Sequence, residues 1–257
     1  MLKFFKLSKQ AKIVAMFIFA MIIIGFSIAY FYYDHVNKSE DQRVISGRIK
    51  LDKFDNLMKA RKYSEALPLI DTVYNIYDNA LGYEGSFEFG LLFNNRASVF
   101  LSMTLYDSLI SKEEKENLLK LAFENITKSI SIYEQWIDSV GKLNKEEIQS
   151  FVASAFRKDK VNFEGKDIEA IIKKRVDDII FAKMETPRRL SVSYTNLGII
   201  QRHQYKQQEA LISYEKAITL WKDNFTARSN FNVLMGKPPE DRSIIEKLFP
   251  PDRNKKD

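Results

Sequence analysis

The sequence predicts an all-α protein: an N-terminal single transmembrane helix followed by a helical solenoid. Three observations carry that expectation. From Ile13 to Tyr33 there are 21 consecutive uncharged residues, IVAMFIFAMIIIGFSIAYFYY. Beyond them apolar residues recur at helical spacing, and no stretch alternates with period two. Nine Gly and six Pro in 257 residues are too few for the many tight turns of a sandwich or barrel.

The first segment is basic. Residues 1–12 carry Lys3, Lys6, Lys9 and Lys12 and no acid. The chain has 40 Lys and Arg against 34 Asp and Glu, so the part after Tyr33 holds 36 basic side chains against those 34 acids. The positive excess sits on the tip and not on the folded part, which argues against a nucleic-acid partner. The absence of Cys excludes a disulfide scaffold, an iron–sulfur cluster and a thiolate zinc site.

Residues 13–33 come next. At about 1.5 Å per residue they would form a helix roughly 32 Å long, enough to cross a hydrocarbon core of about 30 Å. The aromatic run Tyr30, Phe31, Tyr32, Tyr33 suits the headgroup level. A cleaved signal peptide has an apolar core of about 7–15 residues and a small-x-small site, neither of which fits. Membrane lipid is therefore an expected partner of residues 13–33. Lys38, Arg43 and Arg48 follow the span among Asp34, Glu40 and Asp41. The positive-inside rule places the N-terminus in the cytoplasm and the C-terminal domain outside it, in the periplasm of a bacterial cell. Residues 34–46 read as a polar spacer.

The domain itself is expected over 47–235. In Lys145–Phe156, Ile148, Phe151, Val152, Ala155 and Phe156 form one apolar stripe. Ile168, Ile171, Ile172, Val176, Ile179 and Ile180 form another. Ser111 with Glu114 and Asn144 with Glu147 mark helix starts, as does Thr186-Pro187, a cap donor before a proline at the first helical position.

Residues 191–221 carry Tyr194, Leu197, Gly198, Tyr205, Ala210, Tyr214 and Ala217 at fixed offsets. This stretch resembles one unit of the tetratricopeptide repeat (TPR) family, a 34-residue helical hairpin; Lys222 stands where the family favours Pro. Two weaker copies lie upstream. Tyr63, Glu65, Ala66, Leu67, Ile70 and Val73 match the second helix of a unit, whose first helix has Lys53 and Phe54 in place of Leu-Gly. Phe93, Asn95, Ala97 and Phe100 match a first helix, with Ala122, Ile126 and Ser129 on its delayed partner, Leu118–Tyr133. The expected units are 47–80, 90–135 and 191–224, with a two-helix insertion at 136–186, a cap helix at 225–235 and a Pro-rich tail at 236–257. In that tail Ile244, Ile245, Leu248 and Phe249 either fold back on the cap helix or form a short docking motif.

Catalytic patterns are lacking. No His, Cys, Asp and Glu spacing suits a metal, and neither G-x-S-x-G nor a phosphate loop occurs. His35 abuts the apolar stretch and His203 ends the best first helix. The glycosylation-like triplets at Asn37, Asn125 and Asn224 read as chance. Lys173-Lys174-Arg175 and Arg188-Arg189 read as a solvated helix face balanced by Asp177, Asp178 and Glu185.

The resemblance implies a non-catalytic scaffold without cofactor or metal, binding protein or peptide partners in a concave groove. The family's groove positions fall on Leu91, Asn94, Ser98 and Leu101, and on Val192, Thr195, Ile199, Arg202 and His203. In the first unit they fall on Arg48, Leu51, Asp55, Met58 and Lys59; Leu51 and Asp55 argue against clamping a terminal carboxylate. The layout resembles bacterial inner-membrane TPR proteins that assist assembly, secretion or envelope maintenance. Two alternatives stay open: a cytosol-facing receptor docking soluble clients, and a subunit of an enzyme complex, with any catalysis in the 136–186 insertion.

Overall fold

The computed structural model describes residues 8–107 and 109–240, and within them every regular element is helical. The main helices are α1 (Lys9–Ser39), α2 (Gln42–Lys59), α3 (Tyr63–Asp78), α4 (Phe87–Tyr106), α5 (Lys112–Asp138), α6 (Lys145–Lys158), α7 (Ile168–His203), α8 (Gln207–Leu220) and α9 (Phe225–Leu234). Short 3-10 turns follow α5 and α6, at Val140–Lys142 and Lys160–Phe163. The tail's apolar residues, Ile244 to Phe249, lie outside the described residues.

Within α1, Lys12–Tyr33 is a 22-residue segment with mean hydropathy 2.6 and none of it buried against the rest of the chain. It is long and apolar enough to cross a membrane. The expected spacer after it is not a loose linker. Residues 34–46 contain no Gly or Pro to stop a helix, so α1 continues to Ser39. Asp41 then caps α2, its carboxylate accepting from the Arg43 amide at 3.0 Å. Ser39, Asp41 and Val44 are all buried.

Packing then follows chain order. α2 lies on α3, α3 on α4, α4 on α5, α5 on α7, α7 on α8 and α8 on α9, while α6 packs beside α7. The hairpins α2–α3 and α7–α8 turn alike. Arg61 and Tyr205 both adopt positive φ, 58° and 62°. The next amide donates back six residues in each case, Lys62 to Leu57 O and Lys206 to Gln201 O, both at 2.9 Å. That is the Schellman geometry, here without its usual glycine. Tyr205 is thus a turn residue, 89% exposed, and contributes no packing.

Close approach of helices is set by two glycines. A Cβ on Gly198 would lie 2.5 Å from Cε1 of Tyr214, and one on Gly90 would lie 2.6 Å from Cε1 of Tyr133. Both rings are buried, as are Ala66, Ala122, Tyr194, Ala210 and Ala217, with Leu197 half-buried beside them. The Gly90–Tyr133 wedge was not legible as a repeat feature. It lies seven residues, two turns, beyond the Ala97–Ile126 level at which the second hairpin matches the repeat pattern.

One expected boundary does not exist. α7 is a single helix of 36 residues that runs through Thr186-Pro187. Pro187 lacks only the amide that would bond to the carbonyl four residues before it. Ala182, Thr186 and Leu190 are buried on either side of that gap, and their packing outweighs the local stop signal. The insertion therefore consists of α6 and the first half of α7, and it shares a helix with the third unit.

Candidate docking cleft and its charged frame

The first half of α7 lies across the inner faces of α2 and α4. Arg175 of α7 binds Glu88 of α4, and Asp178 accepts from Arg48 of α2 at 3.1 Å. A cleft of about 240 Å³ is left between these helices. Leu51 and Leu91 form one wall, Phe87 and Tyr77 the floor, Phe181 and Ala182 the other wall. Arg189 also borders it, with its guanidinium 5.5 Å from the Phe87 ring centroid. Arg189 enters no ion pair or hydrogen bond among the described residues. Its neighbour Arg188 pairs with Glu185 at 3.0 Å and stacks over Trp221 at 4.3 Å.

The expected groove residues do not converge. Leu91 lines the cleft, together with Arg48 and Leu51 from the first unit. Asn94 and Ser98 lie in the seam between α4 and α7. There Asn94 Oδ1 accepts from Ser193 Oγ at 3.2 Å and Asn196 Nδ2 at 3.0 Å, and Ser98 Oγ accepts from Asn196 at 3.3 Å. Leu101 is core. Thr195 is also interior: it donates to Ser191 O at 2.9 Å and accepts from Asn224 Nδ2 at 2.9 Å. Ile199 and Arg202 are half-buried, while Val192 and His203 are exposed on α7. The His203 ring titrates below its ordinary range, first because it is partly withdrawn from water and then because Arg202 adjoins it.

Beside the cleft lies a charged frame of three arginines. Arg175 is 3% exposed, bidentate to Glu88 and 4.0 Å from the Tyr83 ring centroid. Burial alone would favour losing its proton, but Glu88 outweighs that and holds the guanidinium more firmly protonated than usual. Arg43 binds Asp41 at 2.7 Å and Asp159 at 2.8 Å and donates to Leu81 O at 3.0 Å. Its guanidinium faces the rings of Phe156 and Phe163, 4.4 and 4.5 Å from their centroids. Arg48 bridges Glu40 and Asp178. Burial also raises the neighbouring phenols, Tyr77 up to about 12 and Tyr83 further. The frame joins the foot of α1 to α4, the end of α6 and α7.

This frame corrects the expectation of a solvated Lys173-Lys174-Arg175 face. Successive helix residues point about 100° apart, so a run of three cannot share one face. Lys173 is exposed, Lys174 pairs with Asp178, and Arg175 is interior. Nothing local marks Arg43 and Asp159 as partners, since 116 residues separate them.

The distal end is held differently. Ser129 donates to Gly90 O at 2.7 Å and contacts Ser193 at 3.0 Å, and Ser191 donates to Ala217 O at 2.6 Å. Asn224 caps α9 through the Ala227 amide at 3.0 Å and donates to Ser191 at 2.8 Å. It is buried, so its triplet has a structural role and is not a surface modification site. Among the described residues no group of three or more His, Cys, Asp or Glu side chains converges as metal ligands would. No family model, no curated protein and no solved structure matches this chain, so its function is argued from this geometry.

Proposed function

We propose that the protein is a non-catalytic, membrane-anchored scaffold or adaptor of the TPR kind, which binds protein partners in the cleft between α2, α4 and α7. α1 is its anchor, with the basic tip in the cytoplasm and the helical domain on the opposite, periplasmic side. The observation that carries the reading is the cleft itself: an apolar and aromatic lining beside the unpaired guanidinium of Arg189. The like turns at Arg61 and Tyr205 and the two glycine–tyrosine wedges support a repeat architecture behind it.

Size decides what the cleft suits. At about 240 Å³ it falls below the roughly 300–1,000 Å³ of small-molecule pockets. It has room for one or two anchoring side chains of a larger interface. The complementary segment carries an apolar anchor and a carboxylate for Arg189. Tethering to a membrane raises the local concentration of membrane partners, so a modest cleft suffices. Assembly or maintenance of an envelope or secretion complex is the role this suits.

The test is site-specific photocrosslinking in native membranes from Phe181, at the cleft, and from Tyr205, at the far turn. Adduct formation from Phe181 that Arg189→Glu abolishes is the expected outcome. Equal adducts from both positions, or indifference to the charge reversal, removes the cleft as the binding site.

A further inference from the structure

The turn between α6 and α7 is held beside the foot of α1. Asp159, at the end of α6, binds Arg43, and Phe163 at the end of the turn packs under the same guanidinium. Arg43 in turn lies four residues beyond Ser39, where α1 stops. From Tyr33 to Ser39 the helix rises roughly 9 Å at about 1.5 Å per residue. The headgroup layer on each side of a bilayer is about 5–7 Å thick. With α1 spanning, a reading on which this inference rests, the turn lies at headgroup level.

Within the turn Phe163 is buried, whereas Val161 is 86% exposed. A lone exposed valine is ordinary on a soluble surface. Here cations flank it at the height of the membrane surface. Lys158 and Lys166 are exposed and their side chains enter no ion pair among the described residues. The acids around them are largely spoken for: Asp159 by Arg43, and Asp167 by the Ala170 amide at 3.1 Å, which leaves Glu164. We infer that this turn is a second membrane contact, with Val161 among the headgroups and Lys158 and Lys166 against anionic lipid phosphates. Anchor and turn together hold the domain at one tilt, whereas an anchor alone leaves it free to swing.

The chain contains no Cys, so a single labelled cysteine reports one site cleanly. Full-length Val161→Cys, Ile23→Cys and Tyr205→Cys are each given an environment-sensitive fluorophore and reconstituted into phosphatidylcholine vesicles with or without phosphatidylglycerol. Quenching by headgroup-depth nitroxide lipid is then read. The expected result is quenching at 161 several-fold above that at 205 in anionic vesicles. Lys158→Gln and Lys166→Gln should each lower the turn's occupancy of the headgroup layer roughly fivefold. Position 161 no more quenched than 205, with position 23 strongly quenched, overturns the inference and leaves the anchor intact. Position 23 unquenched overturns the anchor itself. Equal quenching at 161 in both lipids overturns the phosphate pairing, and an acidic protein surface then becomes the better partner for the two lysines.

Discussion

Near the foot of α1, Arg43, Arg48 and Arg175 bind acids drawn from the α1–α2 junction, α4, the end of α6 and α7; at the far end, α7, α8 and α9 are joined by small hydroxyls, one asparagine and a glycine–tyrosine wedge. The two constructions do different jobs. A buried ion pair gives back in attraction much of what desolvation takes, so it adds little net stability, but it accepts only one geometry. Close helix packing around a glycine stabilises through dispersion and burial. The proximal frame therefore sets where the anchor points, and the distal hairpin supplies a self-supporting array.

Three substitutions probe that contrast. The largest effect is expected from Arg175→Met, which leaves the Glu88 carboxylate buried and unpaired: a loss of about 3–5 kcal/mol in denaturant unfolding of the intact protein. The double variant Arg175→Met, Glu88→Leu should regain most of it. A single variant as stable as the parent would mean the frame is solvated in solution. Next come Gly198→Ala and Gly90→Ala, each forcing a methyl against a buried tyrosine ring at a cost of about 1–3 kcal/mol. Matching losses would sharpen the likeness of the two hairpins, and a silent Gly90→Ala would end it.

The smallest effect concerns His203. Its folded pKa lies below the ordinary 6.5, so the unfolded chain binds the proton more readily. Stability from this group is complete above about pH 6.5 and declines as pH falls through that value towards the folded pKa. His203→Gln should flatten this shallow slope in thermal melts and change nothing above it. An unaltered slope would assign the decline to other groups.

Several local signals were readable along the chain. The capping pair Asn144 and Glu147 forms a reciprocal box, and Ser111 accepts from the Glu114 amide at 3.1 Å, because a cap needs only residues three apart. Gly198 and Tyr214 were readable as well, being 16 residues apart within one hairpin. Thr186-Pro187 misled, since a proline states what its own backbone cannot do and says nothing of the packing that can override it. The groove positions misled for a related reason. Leu101 and Thr195 sit where an open array would expose them, and neighbouring helices enclose them here.

The sequence by itself determined the helical class, the apolar segment at 13–33 and the hairpin at 191–221, because each depends on periodicity or spacing within a few turns of one chain segment. Only the tertiary structure decided that α7 runs unbroken across the inner faces of α2 and α4, that Arg175 is interior, and that Arg43 meets Asp159. Those outcomes depend on which distant surfaces come together, and a charged side chain carries no local mark of whether its partner will be water or a carboxylate from another helix.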